Sequence, residues 1–218
     1  MTPEAHFRAT APKYMRRLVA DFPQLDLQDA AAIFGNLGHE SLGFTKLQEM
    51  KPTVAGSKGG WGWAQWTGPR RRAFEAYCAR TGKDPASDEA NYAYLFLELK
   101  GIEGTESGAV GKVSTAVGLE DKVIAFEKAF LRAGVKHYDK RLEWARIAVD
   151  ALRKEEEAAA PIPVPRPKPS PTIHPHEPEP EDAIAPPPEK KGGINWWVVL
   201  GVLVAVALAF VAFIPIQI

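Results

Sequence analysis

The amino-acid sequence predicts a mostly α domain interrupted by one irregular Gly/Trp loop, followed by a Pro-rich linker and a single apolar C-terminal helix. Three observations carry this. Apolar residues recur at helical spacing through residues 1–159, between capping residues and terminating glycines. Trp61, Trp63 and Trp66 are interleaved with Gly59, Gly60 and Gly62, a pattern that no regular helix accommodates. Composition then changes abruptly: the 28 residues from Pro161 to Pro188 contain 12 prolines.

In order along the chain, residues 11–21 form a first short helix with Tyr14, Leu18 and Val19 inward. Asp26 caps a second helix, with Asp29 favourably placed in its first turn, which runs to about Ser41 and stops near Gly43. A long loop holds the Gly/Trp cluster. Gly68 and Pro69 open a third helix, since proline fits a first turn, and it ends near Gly82. Ser87 caps a fourth, with Tyr92, Leu95, Phe96 and Leu99 at helical spacing. Residues 101–118 carry no clear pattern. A helix from about Leu119 to Arg132 stops at Gly134, and a last one runs from about Asp139 toward Lys154.

The domain boundaries are therefore 1–159 for the helical domain, 160–193 for the linker and 194–218 for the terminal segment. A chain so rich in proline builds no core; as polyproline II it spans up to roughly 90 Å. Trp196 to Ile214 is 19 residues without a charge, the length needed to cross a hydrocarbon core, with Trp196, Trp197, Lys190 and Lys191 where interfacial residues belong. A single-pass C-terminal membrane anchor is the expectation, and the N-terminus "MTPEAHFRAT" has no apolar leader pattern. The balance of 27 Lys+Arg against 27 Asp+Glu leaves no basic footprint for nucleic acid. Cys78 excludes an internal disulfide framework and reads as a small buried helical residue.

"GNLGHESLGF", residues 35–44, places a carboxylate at the end of an apolar helix. Ile33, Leu37 and Glu40 lie at i, i+4 and i+7, so Glu40 continues the apolar stripe. A carboxyl that loses hydration holds its proton more tightly and becomes a proton donor near neutrality. Such an acid beside a loop suits glycoside cleavage, which must protonate the glycosidic oxygen; a frayed, solvated helix end is the alternative. Asn36, one turn earlier, can orient that carboxyl or a substrate. His39 invites a zinc reading, but H-E-x-x-H fails because position 43 is Gly; neither metal nor cofactor is expected.

In "GGWGWAQWTGPRRR", residues 59–72, an extended chain would turn Trp61, Trp63 and Gln65 one way and Ala64 and Trp66 the other. Flat indoles beside an amide suit a sugar, which presents C–H patches and hydroxyls together. The competing reading is that at least one tryptophan, Trp66 above all, is core. Arg70, Arg71 and Arg72 fall in a first helical turn, where the dipole disfavours cations. Either they form a solvated face relieved by Glu75, or they meet an anionic partner.

"GNLGHESLGF", "LQEMKP", "GGWGWAQWTGPRRRAFEAYC" and "AFLRAGVKHYDKRLEWA" together resemble the phage tail-lysozyme family of peptidoglycan hydrolases, found in phage endolysins and tail-tip proteins, over most of residues 10–150. The resemblance implies a lysozyme-like helical fold and a glycosidase acting on bacterial peptidoglycan. It places Glu40 as the catalytic acid and Gln65, Trp66 and Thr67 along the cleft; Asn36, Ser41, Trp61 and Trp63 complete the expected substrate contacts. Glu49, the nearest carboxylate in sequence, is a second catalytic candidate, but the single-glutamate lysozymes and lytic transglycosylases that the family resembles need no partner carboxylate, and Glu40 as sole general acid is the expectation. Leu42 departs from the pattern, since similar proteins often carry a second glycine there. With the terminal segment, the expectation is an endolysin anchored in the host bacterial inner membrane and acting on periplasmic peptidoglycan. The alternatives are a non-catalytic wall-binding module and a virion tail-tip lysozyme.

Overall fold

A computed structural model describes residues 1–52 and 56–159; these fold as seven α-helices and one π-helical turn, all within a single compact unit. Helix α1 (Pro3–Asp21) begins at Pro3 rather than near residue 11. Thr2 caps it, its Oγ1 accepting from the Ala5 N–H at 3.2 Å, and Pro3 occupies the first turn. Pro12, which mimics a helix start in the sequence, lies inside this helix instead. Helix α2 (Leu27–Glu40) opens with a capping box: Asp26 Oδ1 accepts from the Asp29 N–H at 2.8 Å, and Asp29 Oδ2 accepts from the Asp26 N–H at 2.9 Å.

Helices α3 (Gly68–Thr81) and α4 (Asp88–Lys100) end in left-handed glycines, Gly82 and Gly101. Residues 101–118 hide a short helix, α5 (Gly108–Thr115), whose Gly108 and Gly111 weaken the helical signal. The single helix expected from Leu119 to Arg132 is two pieces, α6 (Gly118–Phe126) and a π-helical turn (Glu127–Leu131), closed by Arg132 in a left-handed conformation. Helix α7 (Tyr138–Ala159) continues past Lys154. The 3.6-residue period fails at the π turn because its widened backbone shifts the following side chains around the axis.

Helix α2 sits in the middle, against α7, α6 and α1. Every residue from Asp29 to Gly38 is buried, so it has no polar face at all. The contact with α7 is close: a Cβ added to Gly35 would lie 2.5 Å from Cα and N of Ala145. Asp29 is buried as well, and Lys122 of α6 forms an ion pair with it.

Past Glu40, three successive residues are left-handed, Leu42, Gly43 and Phe44, with φ of 48, 61 and 68°. This turn drops Phe44 into the core, where it stacks on Trp63 at 4.3 Å between centroids. Gly43 is sterically required, since a Cβ there would meet the Pro3 carbonyl oxygen and the Trp144 ring. Leu42 occupies a conformation that costs an L-residue roughly 1–2 kcal/mol, which is the physical reason a glycine suits that position.

Among the described residues no helix is long and apolar enough to cross a membrane. The linker at 160–193 and the apolar segment at 194–218 lie outside the described residues.

Gly35→Ala should gain about 1 kcal/mol of helix propensity and lose more than that by forcing α7 off α2, because overpacking costs about 1–3 kcal/mol. Urea unfolding should therefore show a lower midpoint at unchanged slope. A midpoint at or above that of the parent protein would mean that the two helices do not depend on this close approach.

Candidate functional site

Four of the nine residues singled out from the sequence meet in one cleft of about 450 Å³: Glu40, Glu49, Gln65 and Thr67. The rest of its wall is Ala64 and residues 131–134. Glu40 arrives there as the last residue of α2, where that helix leaves the core. Its carboxylate is 18 % exposed, and Oε1 accepts from Nη2 of Arg141 at 2.6 Å. This corrects the stripe argument. With α2 buried on all sides, the emergence of the helix end, rather than a face, exposes Glu40, and the carboxylate is ion-paired rather than lone. A helix C-terminus disfavours an anion, and Arg141 supplies the compensating cation.

Arg141 is itself only 1 % exposed. Its Nε donates to the Lys136 carbonyl at 2.6 Å and its Nη1 to Asn36 Oδ1 at 3.3 Å. Asn36 is fully buried, its Nδ2 donating to the carbonyls of Ala32 at 2.9 Å and Val123 at 3.1 Å. It therefore orients rather than touches anything in the cleft. Ser41 is buried too: its Oγ donates to the Leu37 carbonyl at 2.7 Å and accepts from the Phe44 N–H at 3.1 Å, locking the turn behind Glu40. Neither is available to a substrate.

The Gly/Trp loop is not extended. Trp61 and Trp66 exchange backbone hydrogen bonds of 3.0 and 2.9 Å, and Gln65 N–H donates to the Gly62 carbonyl, so a tight turn separates the two tryptophans. The alternation of faces is lost in that turn. Trp63 and Trp66, each 1 % exposed, are core. Trp63 packs edge-on against Tyr14 and Phe34, and Trp66 stacks on Phe74 and donates Nε1–H to Glu98 at 2.7 Å. Trp61 is half-buried, donating Nε1–H to the Pro85 carbonyl at 3.3 Å under the Arg71 guanidinium, and is not part of the cleft wall. Two indoles thus anchor the loop from below and leave Gln65 and Thr67 at the rim.

Gln65, with φ of 48°, donates Nε2–H to the carbonyls of Leu47 at 2.9 Å and Gly62 at 3.0 Å, tying the turn to residue 47. Glu49 is fixed by the backbone of the Gly/Trp loop: its Oε2 accepts from the Gly60 N–H at 2.7 Å. Thr67 precedes α3 without a side-chain cap bond, its hydroxyl exposed.

The arginine run resolves inward for two of its members. Arg70 makes a forked pair with the fully buried Glu98, 2.8 Å for each bond, and lies over the Phe130 ring. Arg71 pairs with Glu75 at 2.9 Å; Arg72 alone is exposed. Behind residues 131–134, buried Glu106 pairs with Arg132, and buried Glu127 accepts from Ala133 N–H at 2.8 Å, Lys136 Nζ at 3.0 Å and Tyr138 Oη at 2.9 Å. Burial alone would raise the Glu127 carboxyl, but these three donors together hold it below the usual range. They fix the loop that carries residues 131–134 into the cleft.

Arg141 was not singled out from the sequence. A signal for it existed: Arg141, Ala145, Ala148 and Leu152 share the buried stripe of α7, a cation on the helix facing the one that carries Glu40.

His39, beside Glu40, is half-buried, and its ring lies 5.6 Å from that of His137. Loss of hydration, then the Arg141 charge, push it down to about 4. An unfolded histidine near 6.5 takes up its proton first, so stability should fall as the pH drops from 6.5 to 4 and this contribution should then level off. The drop in melting temperature over that window should be smaller in His39→Gln than in the parent; identical slopes would remove His39 as its source.

The family model described as phage tail lysozyme matches residues 9–152, from α1 to within α7. No curated protein and no solved structure matches the chain significantly. The matched span holds the helical body and every residue that lines the cleft, and on that ground the chain belongs to the phage tail lysozyme family.

Proposed function

We propose that this protein is a muramidase-type glycoside hydrolase of phage origin that cleaves the glycan strand of bacterial peptidoglycan, with Glu40 as the general acid. The observation that carries the reading is the placement of Glu40 on the wall of a cleft shared with Glu49, Gln65 and Thr67. Arg141 engages Oε1, and among the described residues nothing donates to Oε2. That second oxygen carries the proton to the glycosidic oxygen as the bond to the anomeric carbon breaks. Glu49 commits Oε2 to the Gly60 N–H and presents the rest of its carboxylate to the same cleft, where it is the candidate to activate water or stabilise the oxocarbenium-like centre.

The reading includes a membrane anchor at 194–218, which attaches the enzyme to the host inner membrane, with the Pro-rich linker as tether, for release of the host wall at lysis. Its support is the uncharged run from Trp196 to Ile214 with flanking tryptophans and lysines.

Mass spectrometry of purified peptidoglycan digested by the full chain in mild detergent should show released muropeptides, and Glu40→Gln should release at least about 100-fold less, the loss typical of a general acid. Reducing ends assign a hydrolase; anhydro ends assign a transglycosylase. Release by Glu40→Gln at the parental rate would overturn the role of Glu40, and binding without release by the parent would make the domain a wall-binding module.

Protease added to intact spheroplasts expressing the chain distinguishes the two orientations. With two lysines before the span and none after it, the domain should be protected until the membrane is permeabilised. Digestion without permeabilisation would place it outside.

A further inference from the structure

A buried arginine is a poor stabiliser by itself. Replacing a buried ion pair with apolar groups is often neutral or stabilising, so the guanidinium enclosed between α2 and α7 calls for a role other than holding the helices together. Glu40 provides the context for one. It is the terminal residue of its helix, followed by a left-handed turn, and its side chain has three rotatable bonds. Nothing else among the described residues donates to its carboxylate.

We infer that Arg141 is a positioning residue that fixes the Glu40 carboxyl for proton delivery, with Asn36 holding the guanidinium in plane. The inference rests on the assignment of Glu40 as general acid. Three donors of one planar fork are each engaged: Nε to the Lys136 carbonyl, Nη1 to Asn36 Oδ1 and Nη2 to Glu40 Oε1. A planar group held from two other sides cannot swing, so its third contact sets where Oε1 lies. Asn36 is in turn held by two carbonyls, one on α2 and one on α6, so the chain of contacts ends in helix backbone. The Lys136 carbonyl belongs to the segment that follows cleft residues 131–134, and Glu127 grips that segment at Ala133 and Lys136. One buried side chain therefore ties the acid to the segment that carries residues 131–134 into the cleft lining. Lysine retains the charge but has no fork, and alanine at position 36 removes the in-plane contact while keeping the Arg141 bond to Glu40.

Steady-state kinetics of the full chain on soluble peptidoglycan glycan fragments, with melting temperatures recorded in parallel, test this. Arg141→Lys should lower kcat by about 10- to 100-fold, the scale of a misplaced catalytic group, with KM within about 3-fold of the parent. Asn36→Ala should lower kcat by a smaller factor at unchanged KM, and it decides the matter alone if Arg141→Lys does not fold. Parental kcat in the folded variants, or losses in kcat and KM that track the melting temperature together, would overturn the inference. Should those variants stay fully active while Glu40→Gln is dead, only the positioning role fails; an active Glu40→Gln fails the assignment beneath it.

Discussion

The close approach of α2 and α7 at Gly35 and Ala145 is the constraint on which the rest of the domain depends. It lets a helix without a polar face lie in the centre, and a helix buried all round reaches solvent only at its ends. Glu40 is such an end. The same approach brings Arg141, one turn before Ala145 on α7, within hydrogen-bond reach of the carboxylate. Helix packing and site geometry are therefore one problem here: what spaces the two helices also spaces the acid from its cation.

The cleft is assembled by burying polar groups behind it rather than by concentrating them in it. Glu98 joins Arg70 to the Trp66 indole, Glu106 holds Arg132, and Glu127 holds the backbone and side chains of the loop before α7. Each of these carboxylates is nearly inaccessible and has charged or N–H partners, the condition under which a buried charge is tolerated. Paired in this way they order loops that have no regular structure, so residues 131–134 and Gln65 line one cleft without a β-sheet behind them. The left-handed non-glycine residues among those described, Leu42, Phe44, Gln65, Arg132 and His137, lie in the turn after α2, in the Gly/Trp loop and in the segment between the π turn and α7.

Much of this was legible in the sequence. The caps at Asp26 and Ser87, the terminating Gly82 and the first turn at Gly68 and Pro69 are local chemistry, set by residues within a few positions of one another, and local chemistry is what a sequence records. Glu40 was legible as a residue out of keeping with its helix, and Glu49, Gln65 and Thr67 as neighbours of the motifs that share its cleft. The early start of α1, the weak α5 and the break at the π turn were not, because Pro12, Gly108 and Gly111 send misleading local signals and because a π turn is imposed by what packs around it.

What the sequence alone determined is the helical class of the domain, the change of composition to a proline-rich and then an apolar segment, and the placement of one carboxylate, Glu40, at the end of an apolar helix. The tertiary structure decided the surroundings of that acid. Parity along a chain assumes an extended strand, and the tight turn at residues 62–65 abolishes parity, so Trp63 and Trp66 went to the core and Gln65 to the cleft. Asn36 became an internal support for the same reason that Arg141 became the partner of Glu40. Residues far apart in sequence meet only when two helices close on each other, and no local pattern records that distance.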